Sequence, residues 1–149
     1  MKTPTLLIAS GLALALTACA TTAGGVPREQ AEAQTLQAYR DAAGDPVNHF
    51  NLVNRSLHSW VSFGTEQLVL YTTPSRAFLV QVAQCPGLDF AQAIRVTDSM
   101  GQVQRNFSRV YALDNSPIAE IGCPITSIQP VNMEKFRQLH APFRNARPE

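Results

Sequence analysis

The chain has little charge and no strong excess of either sign. Charged side chains make up 15% of its 149 residues, with 12 Lys and Arg against 11 Asp and Glu. Proteins that bind phosphate backbones need a basic surface, and those that bind anionic lipid by charge need a polybasic patch. The balance therefore argues against nucleic acid as a partner and against electrostatic membrane binding.

The sequence also lacks a hydrophobic run long enough to span a bilayer. The apolar stretch over residues 6–16 is broken by Ser10 and Gly11, whereas a spanning helix needs about 20 apolar residues. Lys2 precedes the stretch and small residues follow it, which is the order of a secretory signal peptide. We therefore expect export, with residues 1–18 as the signal peptide.

A cysteine motif follows the apolar stretch directly. Leu16-Thr17-Ala18-Cys19 resembles the lipobox of bacterial lipoproteins. That resemblance implies a diacylglycerol on the Cys19 thiol, cleavage just before Cys19, and acylation of the new amine by a fatty acid such as palmitate. Ala20 stands where an aspartate would alter sorting, which implies the periplasmic face of the outer membrane.

Two consequences follow for the processed chain. Its membrane partner would be reached through lipid on Cys19, because two or more acyl chains hold a protein stably. The small, polar residues 19–26 would form a flexible tether.

The alternative to lipidation is a soluble secreted protein, since Ala18-Cys19-Ala20 also satisfies an A-x-A cleavage rule.

Cysteine is scarce, and its count is odd. Of the three cysteines, lipidation of Cys19 leaves Cys85 and Cys123 as an even pair, which an oxidising compartment favours as a disulfide. Redox catalysis is the alternative, but it usually shows a C-x-x-C motif. Here the two cysteines lie far apart and each precedes a proline, so we predict a structural bridge.

The pattern after the tether begins with a helix and continues with strands. Pro27 suits a helix start, and the helix predicted over 27–44 carries Leu36, Tyr39 and Ala43 at helical spacing. The stretches 67–72 and 77–82 read as a hairpin. A four-residue loop beginning at Thr73 would place Tyr71 opposite Phe78, with apolar side chains on both faces.

Shorter signals complete a single domain over 45–141. Further strands are predicted over 50–52, 57–63, 94–97, 107–113 and 125–130. Asp89 would cap a helical turn, and Asn132 would cap a last helix that ends before Pro142, leaving 142–149 as a tail. The fold class is α+β and β-rich: a strongly bent antiparallel sheet of about five or six strands, or a small open barrel, with one helix at each end.

Motifs for catalysis and metal binding are absent from the sequence. It has no G-x-S-x-G elbow, no H-E-x-x-H pair and no glycine-rich phosphate loop. His49, His58 and His140 do not have metal-ligand spacing and are expected to be surface or structural residues. We therefore expect no enzyme activity, no metal and no cofactor, with a periplasmic hydrolase of non-motif active site as the alternative.

One candidate binding surface remains. Trp60, the single tryptophan, lies in an apolar strand pattern and is either a core residue or a binding platform. Arg76 and Arg95, together with Arg105 and Arg109, would line a basic face for a carboxylate or phosphate if they share one side. The alternative is that these arginines are scattered and solvated.

The stretch 45–131 resembles a family of uncharacterised proteobacterial lipoproteins, defined by a domain of unknown function. The resemblance is carried by Asp45-Pro46-Val47, Ser59-Trp60, the hairpin 68–82, the Cys85-Pro86-Gly87-Leu88-Asp89 segment and residues 123–131. It implies no activity and no site residues. We expect a non-enzymatic lipoprotein that binds or assembles envelope components, with an envelope protein or the cell wall as partner.

Overall fold

The computed structural model of the chain describes residues 27–113 and 121–144. The predicted signal peptide, Cys19, the tether to residue 26, the loop predicted over 114–117 and the end of the predicted tail, 145–149, lie outside the described residues.

Two helices and eight strands form the fold of the described residues. They are α1 (Arg28–Ala42), β1 (His49–Asn51), β2 (Ser59–Phe63), β3 (Gln67–Thr73), β4 (Arg76–Val82), β5 (Ala93–Val96), β6 (Gln102–Gln104), β7 (Arg109–Leu113), β8 (Cys123–Val131) and α2 (Met133–Arg144). A six-stranded sheet has the order β2-β3-β4-β8-β7-β5, and β1 pairs with β6. The large sheet curls into a half-barrel, which confirms the predicted β-rich α+β class.

The β3–β4 hairpin lies at the centre of the sheet, and both of its faces are covered. Leu68 and Leu70 face the inside of the curl, where they join the main core with Phe50 and Ile128. Val69 faces the opposite side and packs beneath the helices. All three β3 side chains are fully buried, so the predicted two-sided covering of the hairpin is confirmed.

The hairpin register differs by one residue from the prediction. Tyr71 pairs with Ala77, and Phe78 pairs with Leu70, because the turn is two residues long and the ladder is irregular between Tyr71 and Thr73. One extra residue in a strand changes every later pairing. The predicted Tyr71–Phe78 pair is therefore wrong: Phe78 faces the main core and Tyr71 faces the helices.

The helices pack together on the outer face of the sheet. Asn132 caps α2 as predicted, because its Oδ1 accepts hydrogen bonds from the backbone N–H groups of Glu134 and Lys135 at 3.1 and 3.0 Å. The helix does not end at Pro142, however, but continues to Arg144. A proline removes one backbone hydrogen bond, and at this position only the last turn is affected.

Two further local predictions are wrong. Asp89 is not a cap: it lies within a short 3-10 turn, Leu88–Phe90, whose N-cap is Gly87 at φ 82° and without a side-chain hydrogen bond. The strand predicted from Phe107 begins at Arg109, because residues 105–107 form a turn. The left-handed backbone at Gly87 reverses the chain without a polar cap.

The predicted disulfide is present. Cys85 and Cys123 are bonded with their Cα atoms 5.4 Å apart, and both are buried in the main core. The bridge fixes the segment that follows β4 to the first residue of β8. Within the described ranges, neither helix is long and apolar enough to cross a membrane.

Candidate functional site

The two terminal strands of the curled sheet are β2 and β5. Among the described residues, β2 pairs with β3 alone and β5 with β7 alone. Every neighbouring pair in the sheet is antiparallel, so β2 and β5 run in opposite directions. Terminal strands leave a row of backbone N–H and C=O groups without ladder partners.

A groove of about 370 Å³ lies where these two strands approach each other. Its walls include His58, Ser59 and Trp60 at the start of β2, and Gln92, Ile94 and Val96 at β5. We name this cavity the seam groove. The backbone N–H of His58 donates to the Tyr71 carbonyl at 2.8 Å, which fixes the β2 wall to the central hairpin.

The floor of the seam groove is apolar and its rim is polar. Trp60, Ile94 and Val96 are half-buried and pack against the main core. His58 and Gln92 on the rim are exposed. Trp60 thus packs against the core, as the first of its two predicted roles requires, and it also lines the groove.

A tight turn positions one end of the groove. Asn54 and Arg55 have φ angles of 53° and 56°, and the Ser56 N–H donates to the Val53 carbonyl at 3.1 Å. Positive φ at both central residues defines a type I′ turn. This turn places Arg55 at the groove, where it contributes a positive charge.

The structure does not bring the predicted binding residues together. Trp60 lines the seam groove, but Arg95 lies on the other face of β5, with its guanidinium 4.2 Å from the Tyr111 ring centroid. Arg76 lies at the hairpin turn, beside the Val131 end of β8. Tyr111 lies near the opposite end, and nine residues of strand separate the two ends, which is roughly 30 Å.

The three histidines occupy separate places. His58 lines the seam groove, His49 lines a second cavity beside β1 and β6, and His140 on α2 approaches the Thr35 hydroxyl at 3.4 Å. Ser56 and Ser59 line the groove with His58, and no carboxylate is among the described residues of its wall. Across residues 27–113 and 121–144, no three His, Cys, Asp or Glu side chains cluster as metal ligands.

The second cavity, of about 270 Å³, was missed by the sequence analysis. Its lining includes His49, Gln102, Gln104, Arg105 and Phe107. These residues come from strands that are far apart in the chain, and isolated amides carry no motif. The one available signal was the Gln-Val-Gln alternation at 102–104, in which a single apolar residue is flanked by two amides.

Comparison with known proteins identifies a family to which the chain is similar. The model of a family of unknown function (DUF6491) matches residues 1–147. No curated protein and no solved structure matches the chain significantly.

Proposed function

Because the chain belongs to a family of unknown function, DUF6491, its membership assigns no activity, and we propose a function from the site itself. The protein is an outer-membrane lipoprotein on the periplasmic face, anchored through acylated Cys19. Its domain is a non-enzymatic binding module, and the seam groove binds an extended segment of another envelope protein.

The observation that carries this proposal is the pair of facing terminal strands around an apolar floor. An extended peptide binds such an edge by adding a strand, with main-chain hydrogen bonds giving affinity and alternate side chains entering pockets. Trp60, Ile94 and Val96 offer that apolar surface. Since β2 and β5 are antiparallel, an inserted strand would run antiparallel to one of them and parallel to the other.

The anchor supports an envelope partner by restricting where the groove can reach. Residues 19–26 precede the helix, and eight residues span at most about 30 Å when fully extended. A chain lipidated at Cys19 would therefore hold its domain close to the membrane surface. The partner segment would have to be presented within that distance.

The alternative function, a hydrolase, is supported by one observation: His58 lies in the same groove as Ser56 and Ser59. A serine hydrolase needs the base in contact with the nucleophile and oriented by a third group. The Ser56 hydroxyl instead donates to the Leu57 carbonyl at 3.2 Å. The apolar floor, and a wall without a carboxylate among its described residues, favour binding over hydrolysis.

Site-specific photocrosslinking in cells tests the groove. The full-length chain would carry a photoreactive residue at Ser59 or Gln92, both exposed on the groove, or at Gln84, which is exposed and outside it. We expect a discrete adduct from the two groove positions, with the label on one segment of one envelope protein, and no such adduct from Gln84.

A blocking variant sharpens that experiment. Gln92 is exposed and lines the rim of the groove, so Gln92→Trp obstructs the groove without adding volume to the core, and Gln84→Trp is the matched control. The adduct from Ser59 should disappear with Gln92→Trp and persist with Gln84→Trp. The same random neighbours at all three labelled positions would contradict the proposal.

A further inference from the structure

The two-stranded sheet of β1 and β6 has one apolar and one polar face. Phe50 and Val103 point inward and are buried, and Phe50 stacks on Phe78 with the ring centroids 4.3 Å apart. Because side chains alternate along a strand, the neighbours on each strand point outward. The outward set is His49, Asn51, Gln102 and Gln104, which we name the amide face.

The three amides of this face form a directed hydrogen-bond chain. The Gln104 amide nitrogen donates to Gln102 Oε1 at 3.0 Å, and the Gln102 amide nitrogen donates to Asn51 Oδ1 at 3.3 Å. A primary amide has two N–H donors and two acceptor lone pairs. Each amide therefore keeps further donor and acceptor capacity, while the chain fixes its orientation.

An aromatic ring stands beside the amide face. Phe107 is 81% exposed and lines the same cavity as His49 and Gln104. Two backbone hydrogen bonds join its loop to other parts of the fold. The Arg105 N–H donates to the carbonyl of Asn48, just before β1, at 2.8 Å, and the Asn106 N–H donates to the carbonyl of Ile125 in β8 at 2.7 Å. These bonds fix the backbone that presents the exposed ring at the surface.

We propose that the amide face and Phe107 bind a neutral glycan. Pyranose rings present pairs of hydroxyl groups, which match oriented amide donors and acceptors, and a C–H face that packs on an aromatic ring. The four residues of the amide face carry no formal charge, with His counted as neutral, which favours an uncharged ligand there. Arg105 is the one formally charged residue among the described residues of the cavity wall. A cavity of about 270 Å³ admits one or two sugar residues. This site is separate from the seam groove and does not depend on it.

Calorimetric titration of the full chain, purified from the envelope, tests this proposal. The probes are an N-acetylglucosamine tetramer and a glucose tetramer, which separate amino-sugar glycans from plain hexose glycans, with a galacturonate tetramer as the anionic comparison. We expect saturable binding of at least one neutral tetramer, and tighter binding of it than of the anionic one.

Matched variants assign the binding to this face. Phe107→Ala and Asn51→Ala should each weaken it by about tenfold. Phe90→Ala removes an equally exposed phenylalanine, 79% exposed, and Gln84→Ala an exposed amide elsewhere; neither should change the affinity. Circular dichroism checks that all four variants are folded.

Three results would overturn the proposal. They are no heat of binding with either neutral tetramer at millimolar concentration, equal losses in the Phe107 and Phe90 variants, and stronger binding of the anionic tetramer. The last would indicate a site governed by Arg105.

Discussion

Tyr39 holds the helical layer to the sheet. Its ring stacks on Phe136 with centroids 3.9 Å apart and meets the Phe63 ring edge-on at 5.8 Å, and its hydroxyl is hydrogen-bonded to the Tyr71 hydroxyl. Burial and this hydrogen bond raise the pKa of Tyr39 well above its usual value. One side chain thus links α1, α2, β2 and β3.

The raised pKa predicts a loss of stability in alkali. Below the unfolded-state value of about 10, Tyr39 is neutral in both states and its contribution is fully present. Above that value the unfolded chain releases the proton and the folded protein does not, so the free energy of unfolding falls as the pH rises. Urea unfolding at several pH values between about 9 and 11 should show a steeper fall for the wild type than for Tyr39→Phe.

The comparison of slopes isolates the hydrogen-bonded hydroxyl pair of Tyr39 and Tyr71, because the remaining ionisable groups are common to both proteins. Parallel curves for wild type and Tyr39→Phe would show that the buried hydroxyl makes no pH-linked contribution.

At the residue scale, the sequence identified residues that stand out by their type and number, such as the cysteines and the single tryptophan. The pairing of Cys85 with Cys123 followed from an odd cysteine number in a chain expected to be exported. Trp60 was identified, but the sequence could not decide between a core residue and a binding platform, since its surroundings include β5, which is distant in the chain. The amide face could not be found, because Asn51 and Gln102 meet only through the β1–β6 pairing.

Among the elements, β4 and β8 are joined both by hydrogen bonds and by the disulfide. Val82 pairs with Ile125 at the end where the Cys85–Cys123 bridge lies. The bridge therefore closes the end of the sheet that leads into β7, β5 and the seam groove. Its removal should affect stability more than architecture, since the surrounding core is fully buried.

Replacing both bridge cysteines by alanine should lower the melting temperature by roughly 12–24 °C. Closing a loop over 38 positions contributes about 4 kcal/mol in the chain-entropy model, and ~1 kcal/mol shifts the midpoint of a domain this size by about 3–6 °C. Calorimetry of oxidised wild type, reduced wild type and the double variant gives the comparison. A double variant that melts with the oxidised wild type would contradict a stabilising bridge.

The central elements could be predicted from the sequence, and the short peripheral ones could not. Helix α1 has good helix formers over four turns, and the β3–β4 hairpin has long runs of apolar residues; both elements are confirmed. The hairpin register was missed because the irregularity between Tyr71 and Thr73 has no signature in a run of β-formers. Strands β1 and β6 have three residues each, too few to show a period.

At the scale of the whole molecule, the strand order determines where the seam groove forms. Strand β5 precedes β7 and β8 in the chain, yet both of them lie between β5 and β4 in the sheet, so that β5 is a terminal strand. That order brings β5 near β2 across the curl and creates the seam groove. Local patterns do not encode it, because it follows from long-range packing of the main core.

The proposed binding module would act at a membrane surface only if Cys19 is lipidated. The most direct test is labelling of cells with an alkyne fatty acid, followed by membrane fractionation of wild type and Cys19→Ser. We predict labelled wild type in the outer-membrane fraction, and an unlabelled, unprocessed Cys19→Ser chain. Unlabelled wild type recovered in the soluble periplasm, cleaved after Ala20, would contradict the account.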